Sequence, residues 1–245
     1  MIGLGITTFN RPKFLETACD SVDQYVGSSL GCKLIYDDGS DDYDEDLYRR
    51  LADGGWSIVR NEINNGVAFG KNSLLKSMID AGCETLFLME DDIQIVSADA
   101  LSVYIDAMER TGIQHINFSQ HGPANRCKPV ERNEVLEFWP NVVGAFSAYT
   151  RRYIDLVGYF DVEFRNDLDH VHHTYMGSLS GLTSQWRGFA DVVGSTNYVK
   201  EQSGAIEQST IGHHDILEVG SPFQRSLRHW YRNYPMPADL MSLLR

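Results

Sequence analysis

Residues 86–95 read LFLMEDDIQI, an apolar run that ends in three consecutive carboxylates, Glu90, Asp91 and Asp92. Adjacent acids repel one another, and a hard divalent cation held by oxygen ligands, Mn2+ or Mg2+, is the usual counterion for such a group. A solvated acidic turn is the plainer alternative. Two further polar clusters follow apolar runs in the same manner, TTFNRP at 7–12 and DDGSDD at 37–42.

The elements that must position these clusters alternate down the first half of the chain. IGLGIT (2–7) reads as a strand, Phe14, Leu15, Ala18, Val22 and Val26 mark a helix, and KLIY (33–36) is a second strand. An acidic helix near 43–53, a short strand at 57–60, a helix carrying Val67, Leu74, Leu75, Met78 and Ile79, and a strand at 85–89 complete the pattern. Strands alternating with helices imply an α/β fold with a mainly parallel, Rossmann-like sheet flanked by helices. In such sheets ligands bind beyond the carboxyl ends of the strands, which is where TTFNRP, DDGSDD and MEDD fall. A cation at that edge would neutralise a nucleotide diphosphate as it leaves.

A helix through Leu101, Tyr104, Ile105 and Met108 and a strand-like HINFS (115–119) lead into a polar connection containing Gly122, Pro123 and Pro129. Beyond it lie a strand-like VVGAFSAY (142–149), a helix capped by Thr150 and stopped near Gly158, and a His-rich helix over 169–181. Residues 194–214 lack steady periodicity and read as a long loop with the character of a lid. The expected organisation is one domain over 1–245, with a donor half at about 1–120 and an acceptor half after it.

The motif order TTFNRP, DDGSDD, NNGVAFGKN (64–72) and MEDD (89–92) resembles the GT-A nucleotide-diphospho-sugar glycosyltransferases, family 2 in particular. That resemblance implies a GT-A fold and a metal-dependent, inverting transfer of a sugar from a nucleotide-sugar, UDP-sugar first, to an acceptor hydroxyl. It places Thr8, Asn10 and Arg11 near the nucleotide, Asp38 on the uracil or ribose, and Asn65, Gly66, Lys71 and Asn72 on the donor, with Lys71 reaching a phosphate or the sugar. The family's Asp-x-Asp is replaced here by Met89-Glu90-Asp91-Asp92, similar to the Glu-Asp-Asp variant. In that variant the last acid binds the metal directly and the earlier ones act through water or the sugar, so Asp92 is the first candidate metal ligand, with Asp91 second and Glu90 third. VGAFSAYTRRYIDLVGYFDVEF (143–164) looks like the acceptor-side block, which leads to a catalytic Asp. In RNDLDHVHH that base is Asp169, with Asp167 in reserve, since the Glu that often precedes it is absent.

Other residues carry two readings each. His213 and His214 either complete the metal shell or form an exposed pair. His170 and His173 share a helix face that either meets acceptor or metal or simply packs. Trp139 and Trp186 either stack on a sugar ring or belong to the core. The tail FQRSLRHWYRNYP (223–235) reads either as a surface for phosphate-bearing lipid, nucleic acid or a partner, or as an amphipathic helix docked on its own domain. Asp169 would equally serve as a helix cap.

Composition narrows the partners. Lys and Arg total 21 against 34 acids, a net charge of −13, so general binding to nucleic acid or anionic membrane is not expected. Cys19, Cys32, Cys83 and Cys127 form no CxxC pair and read as reduced thiols. The opening MIGLGITTFN has no basic leader, and no window approaches the ~18 apolar residues of a membrane span, so the chain reads as cytoplasmic. Acceptors consistent with the scaffold are a glycan, a glycolipid, a protein or a modified nucleobase. Two rival enzymes fit less well. A dinucleotide oxidoreductase needs its glycines after the first strand, where Thr7, Thr8 and Phe9 stand, and a nucleotidyltransferase needs a Gly-rich basic loop there. A non-catalytic binding module on the same fold is the third alternative.

Overall fold

The structure, a computed structural model, describes residues 1–121, 128–141, 144–186, 188–205 and 220–237. In chain order its elements are β1 (Ile2–Thr8), α1 (Pro12–Tyr25), β2 (Cys32–Asp37), α2 (Glu45–Asp53), β3 (Ser57–Arg60), α3 (Val67–Asp80), β4 (Thr85–Glu90), β5 (Ile93–Ile95) and α4 (Ala100–Thr111). There follow β6 (His115–Asn117), β7 (Glu131–Arg132), β8 (Leu136–Trp139), β9 (Phe146–Thr150), α5 (Arg151–Val157), α6 (Asp169–Leu179), β10 (Phe189–Val192), β11 (Val199–Glu201) and α7 (Pro222–Asn233).

Six strands form the main sheet in the order β3-β2-β1-β4-β9-β6. β1 to β4 are mutually parallel where they pair, and β9 runs antiparallel to both β4 and β6. This is the mainly parallel sheet expected from the alternating pattern. Gly3 and Gly5 of β1 face α3. A Cβ would lie 2.8 Å from the Met78 sulfur at Gly3 and 2.9 Å from a Leu74 methyl carbon at Gly5. The glycines of the GLG sequence therefore permit close helix–strand packing, which is a structural reason for their presence unrelated to a dinucleotide.

Local signals set the helix starts. Pro12 opens α1 at a position where its missing N–H costs nothing. Asp44 accepts from Leu47 N at 3.0 Å to cap α2, and Thr150 accepts from Tyr153 N at 3.2 Å to cap α5. One apolar cluster, containing Ile6, Ile35, Phe87 and Tyr104, packs under α1, α2 and α4. A second, containing Leu74, Leu88, Tyr149 and Tyr153, lies under α3 and α5 on the opposite face.

Several short strands carry no periodic signal in the sequence. β7, β8 and β10 form a three-stranded antiparallel sheet, and β11 pairs with β5 through Val199 and Ile95. The expected loop over 194–214 thus contains a short 3-10 turn at Ser195–Asn197 and a strand, and its remainder beyond residue 205 lies outside the described residues. The strand expected at 142–149 spans 146–150, and the one at 115–119 stops at 117.

The tail forms α7, which docks on its own chain. Phe223 and Trp230 are buried against Phe164, Val171 and Tyr175, while Arg225, Arg228 and Arg232 are exposed. Trp186 sits edge-on to Tyr175 at 4.9 Å and Trp139 is buried in β8, so both tryptophans belong to the packing. No helix among the described residues is long and apolar enough to cross a membrane.

Candidate active site

Strand register brings the polar clusters together. Thr8 pairs with Asp37 and Thr7 with Glu90, so the ends of β1, β2 and β4 stand side by side at one edge of the sheet. Loop to loop, Asn10 N donates to Ser40 Oγ at 2.8 Å, and Asn10 Oδ1 accepts from Asp41 N and Asp42 N at 2.7 and 3.0 Å. Asn10 does this from the left-handed region, at φ 56°, where Asn is tolerated better than most residues.

The two aspartates of DDGS divide their work. Asp37, fully buried, accepts from Ser40 N and Oγ and from the Tyr48 hydroxyl, and pairs with Arg60. Asp38 accepts from Asn65 N at 2.8 Å and Gly66 N at 2.7 Å, which shapes the turn that starts α3. Burial raises the Asp38 pKa, while those two N–H groups oppose the shift. Gly66 holds φ 95°, and any Cβ there would lie 2.3 Å from the Arg165 side chain, so only glycine fits.

The three-acid run is pinned from several sides. Glu90 N donates to Ala145 O at 2.7 Å, and Gln202, just past β11, donates through its backbone to Asp92 O and through its amide to Asp91 O. Asp91 accepts from Thr8 Oγ1 at 2.7 Å and is ion-paired to Arg11, which also reaches Asp92 Oδ2 at 3.1 Å. Burial nevertheless pushes the Asp91 carboxyl up to about 7, against Arg11 and Thr8. The Asp92 carboxyl is raised too, by burial and by the neighbouring Glu90. Asp92 Oδ1 is buried with no hydrogen-bond partner among the described residues.

Lys71 sits on the other side of Glu90. Only 3% exposed, it places Nζ 3.2 Å from Glu90 Oε1 and 3.1 Å from Asp169 Oδ2. Burial opposes ionisation of both acids, but Lys71, together with His121 at Glu90 and His170 at Asp169, offsets it, and both pKa values lie below the usual carboxylate range. His170 Nδ1 stands 3.3 Å from the second Asp169 oxygen. Gly144 lines the same point, since a Cβ there would be 2.9 Å from Lys71 Nζ and 2.7 Å from His170 Cβ.

The remaining expected residues fall as follows. Both ends of the Asn72 amide bond the Phe160 backbone, each at 2.8 Å, so this side chain ties α3 to the 160s segment. Asn65 contributes its backbone N–H to Asp38, and its amide bonds Ile63 O. Asp167 is half-buried, two residues before Asp169 and outside the Lys71 pair. His213 and His214 lie outside the described residues. His173 bonds Gly158 O at 2.9 Å within a layer of rings, which is packing.

His121, which no motif singles out, lies 3.5 Å from Glu201 through Nδ1, and its charge when protonated favours ionisation of Glu90 and Asp92. His121 stands beyond β6 and Glu201 ends β11, so only the sheet topology relates them to the acid run. Among the described residues, no group of three or more His, Cys, Asp or Glu side chains is arranged to hold a metal ion. Glu90, Asp91, Asp92 and Asp169 still outnumber the cations Arg11 and Lys71 by two. That excess, together with the unpartnered Asp92 oxygen, fits a hard divalent cation.

No protein-family model matches the chain. A curated relative, the uncharacterized glycosyltransferase R363 of Acanthamoeba polyphaga mimivirus, is 23% identical over 226 residues, covering 86% of this chain and 84% of that protein. Among solved structures, the mannosyltransferase PcManGT from Pyrobaculum calidifontis, in complex with GDP-Man and Mn2+, matches with a TM-score of 0.58 and 16% identity over 76% of this chain. TarS 1-349 from S. aureus, in complex with UDP, matches with a TM-score of 0.56 and 15% identity over 71%. This chain spans 54% of each of those two solved chains. The similar proteins are glycosyltransferases, and the architecture built from these motifs is the GT-A glycosyltransferase fold.

Proposed function

We propose that the chain is a nucleotide-sugar-dependent glycosyltransferase, metal-assisted and inverting, with a donor half at about 1–120 and an acceptor half after it. The observation that carries the reading is the meeting of Asp169 with the acid run of β4 at a single buried lysine, at the carboxyl edge of the parallel strands. GDP-Man with Mn2+ and UDP in the similar structures support a nucleotide-sugar donor, with UDP-sugar the first candidate.

Asp92 would hold the cation, with Glu90 and Asp91 beside it. Bound there, the cation supplies charge stabilisation for the departing diphosphate. Thr8 and Arg11 orient Asp91, and Asp38 shapes the turn at Asn65 and Gly66 that would border the nucleotide. Asp169 takes the proton of the acceptor hydroxyl. Its depressed pKa makes it a weak base, so the proton moves late, when the attacking oxygen has become acidic in the transition state. Direct displacement by that oxygen inverts the anomeric carbon. The acceptor is a hydroxyl of a glycan, glycolipid, protein or modified nucleobase.

The test is release of nucleotide from UDP-glucose, UDP-N-acetylglucosamine and GDP-mannose with Mn2+ present. Turnover with at least one donor is expected, lost in Asp92→Ala and reduced by about 10²-fold or more in Asp169→Asn. No turnover with any donor, despite nucleotide binding, would favour a non-catalytic binding module. Equal turnover in Asp169→Asn would reject that base.

A further inference from the structure

The resemblance gives Lys71 to the donor, as a side chain reaching a phosphate or the sugar. Its surroundings assign it other work. An ammonium has three donors and no acceptor. Two of those donors point at carboxylates from opposite halves of the chain, Glu90 at 3.2 Å and Asp169 at 3.1 Å. Gly144 closes one side, where even a Cβ would approach Nζ to 2.9 Å, and the Phe160 ring lies 5.7 Å away on another.

The same helix grips the base by its backbone as well. Asn166 Oδ1 accepts from Val67 N at 2.9 Å, Arg165 O accepts from Ala68 N at 2.9 Å, and Arg165 Nη2 donates to Asn64 O at 2.9 Å. The turn so held is a costly one. Arg165 and Leu168 both adopt positive φ, 54° and 66°, and Leu168 immediately precedes Asp169. Non-glycine residues persist there only when surrounding contacts impose the conformation. The start of α3 and the residue Asn64 before it therefore hold residues 165–169 through three hydrogen bonds, and Lys71 adds one buried ion pair.

We propose that Lys71 is a positioning residue for the base. It fixes the Asp169 carboxylate at a set distance from the acid run, and through it the acceptor oxygen relative to the donor. It does not bind the donor phosphates. The inference rests on the reading of Asp169 as the base. Without Lys71, the buried Asp169 and the half-buried Glu90 carboxylates face one another and the 165–169 turn loses its charged anchor. Misplacement of a reacting group by an ångström costs about a hundredfold in rate, so the loss belongs to kcat.

The decisive experiment is steady-state kinetics of Lys71→Met, Asp169→Asn and the double variant, with the donor found active and Mn2+. The expected result is a fall in kcat of about a hundredfold for Lys71→Met with donor KM changed less than threefold, and no further fall when Lys71→Met is added to Asp169→Asn. A tenfold rise in donor KM with kcat unchanged would overturn the proposal, as would fully additive losses. Lys71→Gln, which keeps length and polarity, serves if Lys71→Met does not fold. Retention of the nucleotide-induced shift in Tm reports a folded donor side in either variant. Hydrogen exchange of residues 165–172 needs no turnover. Faster exchange there in the variant supports the proposal even if wild type transfers no sugar, in which case the functional reading alone fails. Unchanged exchange contradicts the proposal whatever the activity.

Discussion

Two buried polar regions flank the start of α6 and manage charge in opposite ways. On one side, Glu90, Asp91, Asp92 and Asp169 meet Arg11 and Lys71 in ion pairs. On the other, His115, His172 and His173 lie among Tyr149, Tyr153, Phe160 and Phe164, with burial lowering their pKa values to about 3, 4 and 4. In the first region nearby cations outweigh burial at Glu90 and Asp169, while burial still pushes Asp91 and Asp92 up; in the second, burial outweighs the carbonyls and carboxylates near the rings, so the histidines stay neutral. His115 stacks on Tyr149 at 4.1 Å and shares its two nitrogens with Ala148 O and Thr174 Oγ1, so it behaves as a polar aromatic core residue. Depth alone therefore does not distinguish a functional ionisable group from a structural one. What sets the acid run apart is that four carboxylates gather there around two cations, whereas a lone buried carboxylate such as Asp191 is served by neutral donors from Ser119, Tyr104 and Ser195.

The contrast breaks most sharply at Lys71. Lys71→Met should cost about 3–5 kcal/mol in urea unfolding, because it leaves the buried Asp169 carboxylate and the half-buried Glu90 beside it without their cation. Adding Asp169→Asn should restore part of that loss. A cost under 1 kcal/mol would mean that the pair is not desolvated as the structure shows.

A smaller effect is expected at His173, visible only as a function of pH. Its folded pKa, about 4, lies below the unfolded value near 6.5. The unfolded chain thus binds more protons between those values. The histidine's contribution is fully present above about pH 6.5 and is lost as pH falls toward 4, at up to about 1.4 kcal/mol per pH unit. Asp91 and Asp191, each pushed up to about 7 by burial, titrate in the opposite sense over the same window. The informative quantity is accordingly the difference between wild type and His173→Phe. The variant should lose less stability than wild type between pH 6.5 and 4.5. Parallel curves would show that His173 is protonated in the folded protein.

Much of this architecture was legible in the sequence. β1 to β4 and α1 to α3 are long enough for period and punctuation to show them, and caps such as Thr150 mark a boundary by one side chain. β5, β7 and β11 have two or three residues each, too few for alternation to register, and their pairing depends on chain far away. Candidate residues were legible as types, because acids at the ends of strands need a reason. Their partners were not. Lys71 and Asp169 are 98 positions apart, and nothing local in GVAFGKN says that this lysine turns inward to face a carboxylate of the other half. Asn72 illustrates the converse, a motif residue whose amide the fold uses for the Phe160 backbone. Arg11 was placed near the nucleotide by resemblance, and the structure pairs it with Asp91 and Asp92.

In the proposed site the carboxylates Glu90, Asp91, Asp92 and Asp169 outnumber Arg11 and Lys71, and a divalent cation with a nucleotide diphosphate would make up the difference. Thermal unfolding of wild type and Asp92→Asn with UDP or GDP, each with and without Mn2+, tests it most directly. Nucleotide is expected to raise Tm when Mn2+ is present, to do so far less without it, and to lose the Mn2+ dependence in Asp92→Asn. A nucleotide shift independent of Mn2+ in wild type, or an unchanged Mn2+-dependent shift in Asp92→Asn, would contradict it.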